Sequence, residues 1–227
     1  MHLLKVMRAI ASGHAKGHFG QYAEDTLVRK FFKPRKTEEL CLDIGAYHPF
    51  RFNNTAYFWM CGWKTINIDA NPNSIQLFNK WRSSDTNIHS AVVTQKEIDE
   101  GLKNIQLMLP KNDDKDGVSA NGTISDSQAQ SNGMKRSVVV PVCSIKQILE
   151  KYDLEKVVYI NIDIEGYDDR VAIELDLNKY RPKAITVEQF GDDIEQIIYS
   201  DVAKHMRNND YVFHARAGFT SVFVRKD

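Results

Sequence analysis

Short apolar runs alternate along the chain with segments of helical period, an arrangement that predicts βαβ units around a mainly parallel sheet. Glu38 to Ile44 closes on Leu-Cys-Leu-Asp-Ile and reads as a buried strand. A helix is expected over Asn54 to Met60, stopped by Gly62, then a strand over Lys64 to Asp69. Ser74 to Trp81 reads as helix and Asn87 to Val93 as strand. Further on, Ile105 to Leu109, Val138 to Val142 and Val157 to Asp163 read as strands, the last rich in β-branched residues and free of proline. Asp168 to Leu177 is expected to be helical and Ala184 to Glu188 extended, after Tyr180-Arg-Pro182. Asp192 to Asn209 carries a helical apolar stripe, and Tyr211 to Ala215 with Thr220 to Val224 make a closing antiparallel hairpin.

A chain of 227 residues fits one α/β domain, here 37–227, preceded by a helical segment over 1–36. Between Pro110 and Lys135 the periodicity stops. Asn112-Asp-Asp-Lys-Asp-Gly117 and Ser125 to Gly133 are polar and rich in loop formers, yet strands flank them, so 110–135 is an insertion loop rather than a linker. A lid and a plain surface loop both suit that length.

Composition narrows the function classes. Hydrophobic residues at 42% and charged residues at 26% suit a packed globular core. Zero formal charge and a pI near 7.1 speak against a broad grip on nucleic acid. The basic stretch from Arg29 to Lys36 reads as a solvated helix end and loop. Three cysteines without a C-x-x-C spacing suggest neither zinc nor a disulfide framework. Met1 to Ile10 is apolar but carries Lys5 and Arg8 and lacks a signal-peptide core, and no run approaches the ~18 apolar residues of a membrane span. A cytoplasmic protein is expected.

The chemistry sits at strand ends. In Leu42-Asp43-Ile44-Gly45-Ala46-Tyr47 an acid closes a buried strand and glycine takes the turn, where a ligand can approach the backbone. The single glycine, in place of G-x-G-x-x-G, favours a nucleoside without phosphates. Asp69 ends the next strand roughly twenty-five residues later, near the offset of a ribose-binding acid, and can equally cap the helix at Asn71-Pro72. Asp163 and Glu188 end two further strands, and with the Gln189 amide they can hold a hard cation such as magnesium through oxygen ligands. They can also take a proton from an attacking hydroxyl, or pair with Arg170 or Arg181. His48 is an alternative base or a loop-pinning histidine; Arg51 binds an anionic acceptor or bridges to Asp43 or Asp69.

Asp43-Ile-Gly-Ala-Tyr-His-Pro-Phe-Arg-Phe-Asn-Asn-Thr55, Gly62-Trp63, Ile66-Asn-Ile-Asp69 and Asn71-Pro72 together resemble the FkbM-type methyltransferase family. So do Ile162-Asp163-Ile-Glu165-Gly166-Tyr167, Tyr180-Arg181-Pro182 and Val187-Glu188, and upstream Gly20-Gln21-Tyr-Ala-Glu24-Asp25 resembles that family's Ser-Gln-x-Gly-Glu-Asp element. Cys143-Ser-Ile145 departs from the family's Thr-Leu-Asp. The resemblance implies a class I methyltransferase (Rossmann-like) fold, S-adenosylmethionine as cofactor, and O-methylation of a sugar or small natural product. It places Asp43, Gly45, Ala46 and Tyr47 at the turn under the methionine moiety, Asp69 and Ala70 at the ribose, and Ser90 and Ala91 at the adenine edge. Gln21, Asn54, Thr55 and Asp163 would line the same pocket.

Two rival classes remain from the residues alone: a dinucleotide-dependent oxidoreductase, and a nucleoside-binding module without catalysis. Thermal shift separates them: S-adenosylhomocysteine is expected to raise the melting temperature and NAD to leave it unchanged. Stabilisation by NAD alone would reverse the ranking.

Overall fold

The structure is a computed structural model that describes residues 2–12, 16–33, 38–112, 114–119, 122–125, 129–130, 134, 136–152, 156–191 and 193–226. The expected boundary at 36/37, the basic residues Arg35 and Lys36, the helix start at Asp192 and parts of the 110–135 loop lie outside the described residues.

Strands β1 (Leu40–Ile44), β2 (Lys64–Asp69) and β3 (Thr86–His89) pair in parallel, as do β7 (Val157–Ile162) and β8 (Ala184–Glu188). β7 joins β1, so the chain builds outward on one side of β1 and later returns to build on the other. Two antiparallel strands, β9 (Tyr211–Ala217) and β10 (Thr220–Arg225), complete a seven-stranded sheet in the order β3-β2-β1-β7-β8-β10-β9. This is a mixed α/β, mostly parallel Rossmann-like fold. The reversal between β1 and β7 is the switch point at which a crevice opens beyond the strand carboxyl ends.

One sheet face is apolar throughout: Leu42, Ile44, Ile68, Ile160, Ile162, Ile185 and Val187 pack under α6 (Ile145–Lys151), α7 (Asp168–Ala172) and α9 (Asp201–Asn208). On the other face Cys41 and Tyr159 pack with Phe58, Trp63 and Val28, from α3 (Ala56–Met60), the turn after it and α2 (Glu24–Arg29). The same face carries a buried polar row, because Asn67, Asp43, Asn161 and Thr186 are in register across β2, β1, β7 and β8. Asn161 Nδ2 donates to Asp43 Oδ1 at 2.9 Å, and Thr186 Oγ1 donates to Asn161 Oδ1 at 2.7 Å. Asn53 Nδ2 and Thr55 Oγ1 satisfy Asp43 Oδ2 at 3.0 and 2.8 Å. Buried Arg82 joins the row through Asn53, Thr55 and Thr65 and pairs with Asp85 at 2.9 Å.

Local signals explain where elements depart from the periodicity. The strand expected over Asn87 to Val93 breaks at Ser90: β3 stays in the main sheet, while β4 (Ala91–Val93) pairs with β6 (Arg136–Ser144) in a second sheet, beside β5 (Asn104–Leu109). The helix expected from Asn54 begins at Ala56, because Asn53, Asn54 and Thr55 are committed to the polar row. Asp168 to Leu177 is helical only to Ala172. Asp192 to Asn209 is two helices, α8 (Ile194–Ile198) and α9, since the Ser200 hydroxyl caps the second by accepting from Ala203 N at 3.1 Å. Reciprocal capping boxes start α5 (Gln95–Asp99) at Thr94/Glu97 and α6 at Ser144/Gln147. Their S/T-x-x-E/Q spacing was readable in the sequence, although neither helix is expected from hydrophobic period. The remaining helices are α1 (His2–Ala11) and α4 (Pro72–Trp81), the latter capped by Asn71 accepting from Asn73 N. Among the described residues no helix is long and apolar enough to cross a membrane.

Arg82→Ala is expected to cost about 3–5 kcal/mol in urea unfolding, since it leaves Asp85 and Asp43 buried without their cation. A loss below about 1 kcal/mol would mean that the row stands without Arg82.

Candidate active site

A cleft with a cavity volume of about 170 Å³ opens at the carboxyl ends of the parallel strands, where Gly45 follows β1, Asp69 ends β2, Ser90 follows β3, Asp163 follows β7 and Glu188 ends β8. Gly45 lets these ends converge. Its φ is 82°, and a Cβ there would lie 1.6 Å from the Asp163 carbonyl oxygen, so no side chain fits. Its N–H and that of Ala46 both donate to the Ile68 carbonyl, at 2.9 and 3.1 Å, which ties the turn to β2.

Asp69 faces this cleft. Tyr47, in the left-handed region at φ 54°, donates its backbone N–H to Asp69 Oδ2 at 2.7 Å, and Asn71 N–H donates to Oδ1 at 2.7 Å. Burial pushes its pKa up to about 6 against those two donors. Asp43 lies beneath the floor instead, 1% exposed, with both oxygens taken by Asn53, Thr55 and Asn161. Burial raises its pKa, and the Asn161 and Thr55 hydrogen bonds and Arg82 oppose the rise. Asn54, Thr55 and Ala46 are buried with it and do not line the cleft. Gln21, Gly45, Tyr47, Asp69, Ala70, Ser90, Ala91, Asp163 and Glu188 do.

At the other end the carboxyls of Asp163, Glu165 and Glu188 each bring an oxygen within 4.8 Å of the others. Glu165, absent from the sequence-based candidates, sits at φ 53° in the turn after β7. The Glu165-Gly166 pair at a strand tip was its only advance signal. Burial and the neighbouring carboxyls push Glu188 up to about 9 and hold Asp163 well above the usual carboxylate range; burial and Asp168 bring Glu165 to about 7. Among the described residues no Lys, Arg or His lines the cleft. Neither Arg170 nor Arg181 neutralises the cluster: one lies over the Tyr167 ring, and the other faces Asp210 at 3.6 Å. Gln189 does not line the cleft, because consecutive strand-end residues point to opposite faces. Its Nε2 turns away to Asp169 and Ser200, at 3.3 and 3.1 Å.

His48 takes the loop-pinning role of its two readings, and Arg51 takes neither of its own. The His48 Nδ1 accepts from the Phe50 and Arg51 N–H groups at 3.0 and 3.1 Å, which pins the loop, and the ring does not line the cleft. Its pKa is lowered by burial and by Arg51. Arg51 pairs with Asp114 and Asp116 of the polar loop, not with Asp43 or Asp69. Tyr47 Oη also donates to Asp114, at 2.8 Å, and Asn73 Nδ2 donates to the Gly117 carbonyl at 2.7 Å. Thr123 Oγ1 donates to the Glu165 carbonyl at 2.7 Å, and Ser119, Gly122 and Ile124 form cleft wall. The described part of the loop therefore covers the cleft. Tyr47 joins cover to floor through one residue.

The Methyltransferase FkbM domain matches residues 43–213, a span that holds the polar row, the Gly45 turn and the acid cluster. The chain belongs to the FkbM methyltransferase family. No curated protein matches it. The family carries methyl transfer and S-adenosylmethionine use, so the cleft is the place to look for both.

Raised carboxyl pKa values make the folded chain bind protons that the unfolded chain has released, so stability falls as pH rises across that window. For Glu165 the window runs from about 4.5 to about 7. Glu165→Gln is expected to flatten the fall in melting temperature over that range; an unchanged profile would remove Glu165 from the buried cluster.

Proposed function

We propose that this FkbM-family protein is an O-methyltransferase whose acceptor is a hydroxyl of a small molecule or glycan. The observation that carries the reading is the cluster of Asp163, Glu165 and Glu188 in a cleft that, among the described residues, no basic side chain lines. A carboxylate of high proton affinity is suited to removing the proton of an attacking hydroxyl.

The cleft fits the donor. S-adenosylmethionine, when bound, supplies an electrophilic methyl group on a sulfonium. A phosphate-bearing dinucleotide would meet Asp69 and the acid cluster without a glycine-rich loop or a cation. In this reading Asp69 accepts the ribose hydroxyls, with Ala70 beside it. Ser90 and Ala91, with the apolar side chains of Val92 and Leu107, take the adenine edge. Gly45 opens the floor for the methionine moiety next to Tyr47, and Gln21 lies at the rim. Asp43, Ala46, Asn54 and Thr55 hold that floor from below without touching the donor. Asp163 and Glu188 orient the acceptor hydroxyl and take its proton, with Glu165 as their partner. Ionisation of Glu188 sets the active form, so kcat/KM rises with pH through about 9.

A second reading rests on the 4.8 Å grouping of the three carboxyls, which also suits a magnesium ion held by Asp163, Glu165 and Glu188. Excess EDTA separates the two: unchanged turnover supports the proton-accepting role, whereas loss restored by magnesium assigns the cluster to a cation.

Asp69→Ala is expected to weaken cofactor binding in calorimetric titration by about tenfold or more, the loss of charge-assisted hydrogen bonds. Glu188→Gln should lower kcat by about 10²–10⁴-fold while leaving cofactor affinity nearly unchanged. Full turnover of both Glu188→Gln and Asp163→Asn, measured across hydroxylated acceptors, would end the proposal.

A further inference from the structure

Helix α1 carries a feature that the cleft does not use. Leu4, Met7 and Ile10 are 72%, 58% and 47% exposed on a folded helix. At 3.6 residues per turn these three fall on one face, within about 120° of one another, and Lys5 and Arg8 flank that face on the Leu4 side. Single exposed apolar residues are ordinary, but a one-sided stripe of three among the described side chains of a ten-residue helix is an exposed apolar surface.

Charge identifies what covers it. The chain carries 30 basic and 30 acidic residues, yet its first acid is Glu24, while Lys5, Arg8 and Lys16 all precede it. The neutral whole is thus divided into a cationic amino-terminal stretch and a body with an acidic excess. A second copy of α1 would bring cation against cation. An anionic bilayer surface offers both what the stripe needs and what the flanking cations need. A helix of this length cannot span a bilayer, which takes about 20 residues, so it lies in the interface plane with its apolar side down.

We infer that α1 docks this protein on an anionic membrane surface: Leu4, Met7 and Ile10 insert at the acyl boundary, and Lys5 and Arg8 face acidic headgroups. Three apolar side chains and two cations make a reversible attachment, dependent on salt and on lipid charge, not a permanent anchor.

The test is flotation of the full chain with vesicles of phosphatidylcholine alone and of phosphatidylcholine with about one-third phosphatidylglycerol. The expected result is partition onto the anionic vesicles only, released by high salt. Lys5→Glu/Arg8→Glu should lower that partition about tenfold or more, and Leu4→Ser/Met7→Ser/Ile10→Ser should abolish it. The melting temperature should stay unchanged in both variants. Wild-type protein that stays in solution with anionic vesicles would overturn the inference. So would equal binding to neutral vesicles, or binding that high salt does not reverse. A stable dimer in light scattering, dissociated by the triple serine variant, would show that a second copy covers the stripe and would overturn it too. Because the salt and lipid-charge arms use the unaltered chain, the inference stays falsifiable even if a variant misfolds.

Discussion

Asp43 is a carboxylate buried at the tip of the central strand, and the site is built around the need to satisfy it. A lone charge at that depth would carry a prohibitive desolvation cost. The chain meets it with Asn53 and Thr55 from the loop after the Gly45 turn, Asn161 from β7, and the field of Arg82. Each partner belongs to a different segment, so satisfying one carboxylate fixes β1, β7, α3 and the end of α4 against one another. The Gly45 turn sits directly on this network. The geometry of the floor is thereby set by a residue that does not touch the cleft.

The same desolvation acts differently at the other end of the cleft. Among the described residues Asp163, Glu165 and Glu188 have no Arg82 equivalent in the cleft, and their mutual repulsion and burial raise their proton affinity where Asp43 is held by donors. Two groups of acids at the ends of neighbouring strands thus divide the work. One is satisfied by donors and a buried cation; the other keeps a raised proton affinity. Between them Asp69 combines the two conditions, buried but held by two backbone donors that leave its remaining lone pairs toward the cleft.

The polar loop changes the meaning of three residues that a local reading assigns to chemistry. His48, Arg51 and the Tyr47 phenol all turn toward the loop or the backbone that supports it, and Asp114 and Asp116 receive them. The partners are more than sixty residues apart in sequence, so no spacing rule can pair them. Glu165 went unnoticed for the opposite reason: its signal was local, a Glu-Gly turn, but its role depends on a strand that ends at Glu188.

The succession of strands along the chain and the acids at their tips were legible in the sequence, because burial on both faces demands apolar runs and turns demand glycine at Gly45 and Gly62. The family was legible for the same reason, since its motifs are those strand tips. Element boundaries failed where side chains competed with period: Ser90 and Ser200 interrupt elements that hydrophobicity alone would continue, and Thr94 and Ser144 start helices through caps. Only the tertiary structure decided which acids face solvent-accessible space. Asp43, one residue inside the end of β1, and Asp69, at the end of β2, have the same chemistry, yet one points into the packed sheet face and the other into the cleft. That choice depends on partners contributed by distant segments, and such partners are brought together by folding rather than by sequence position.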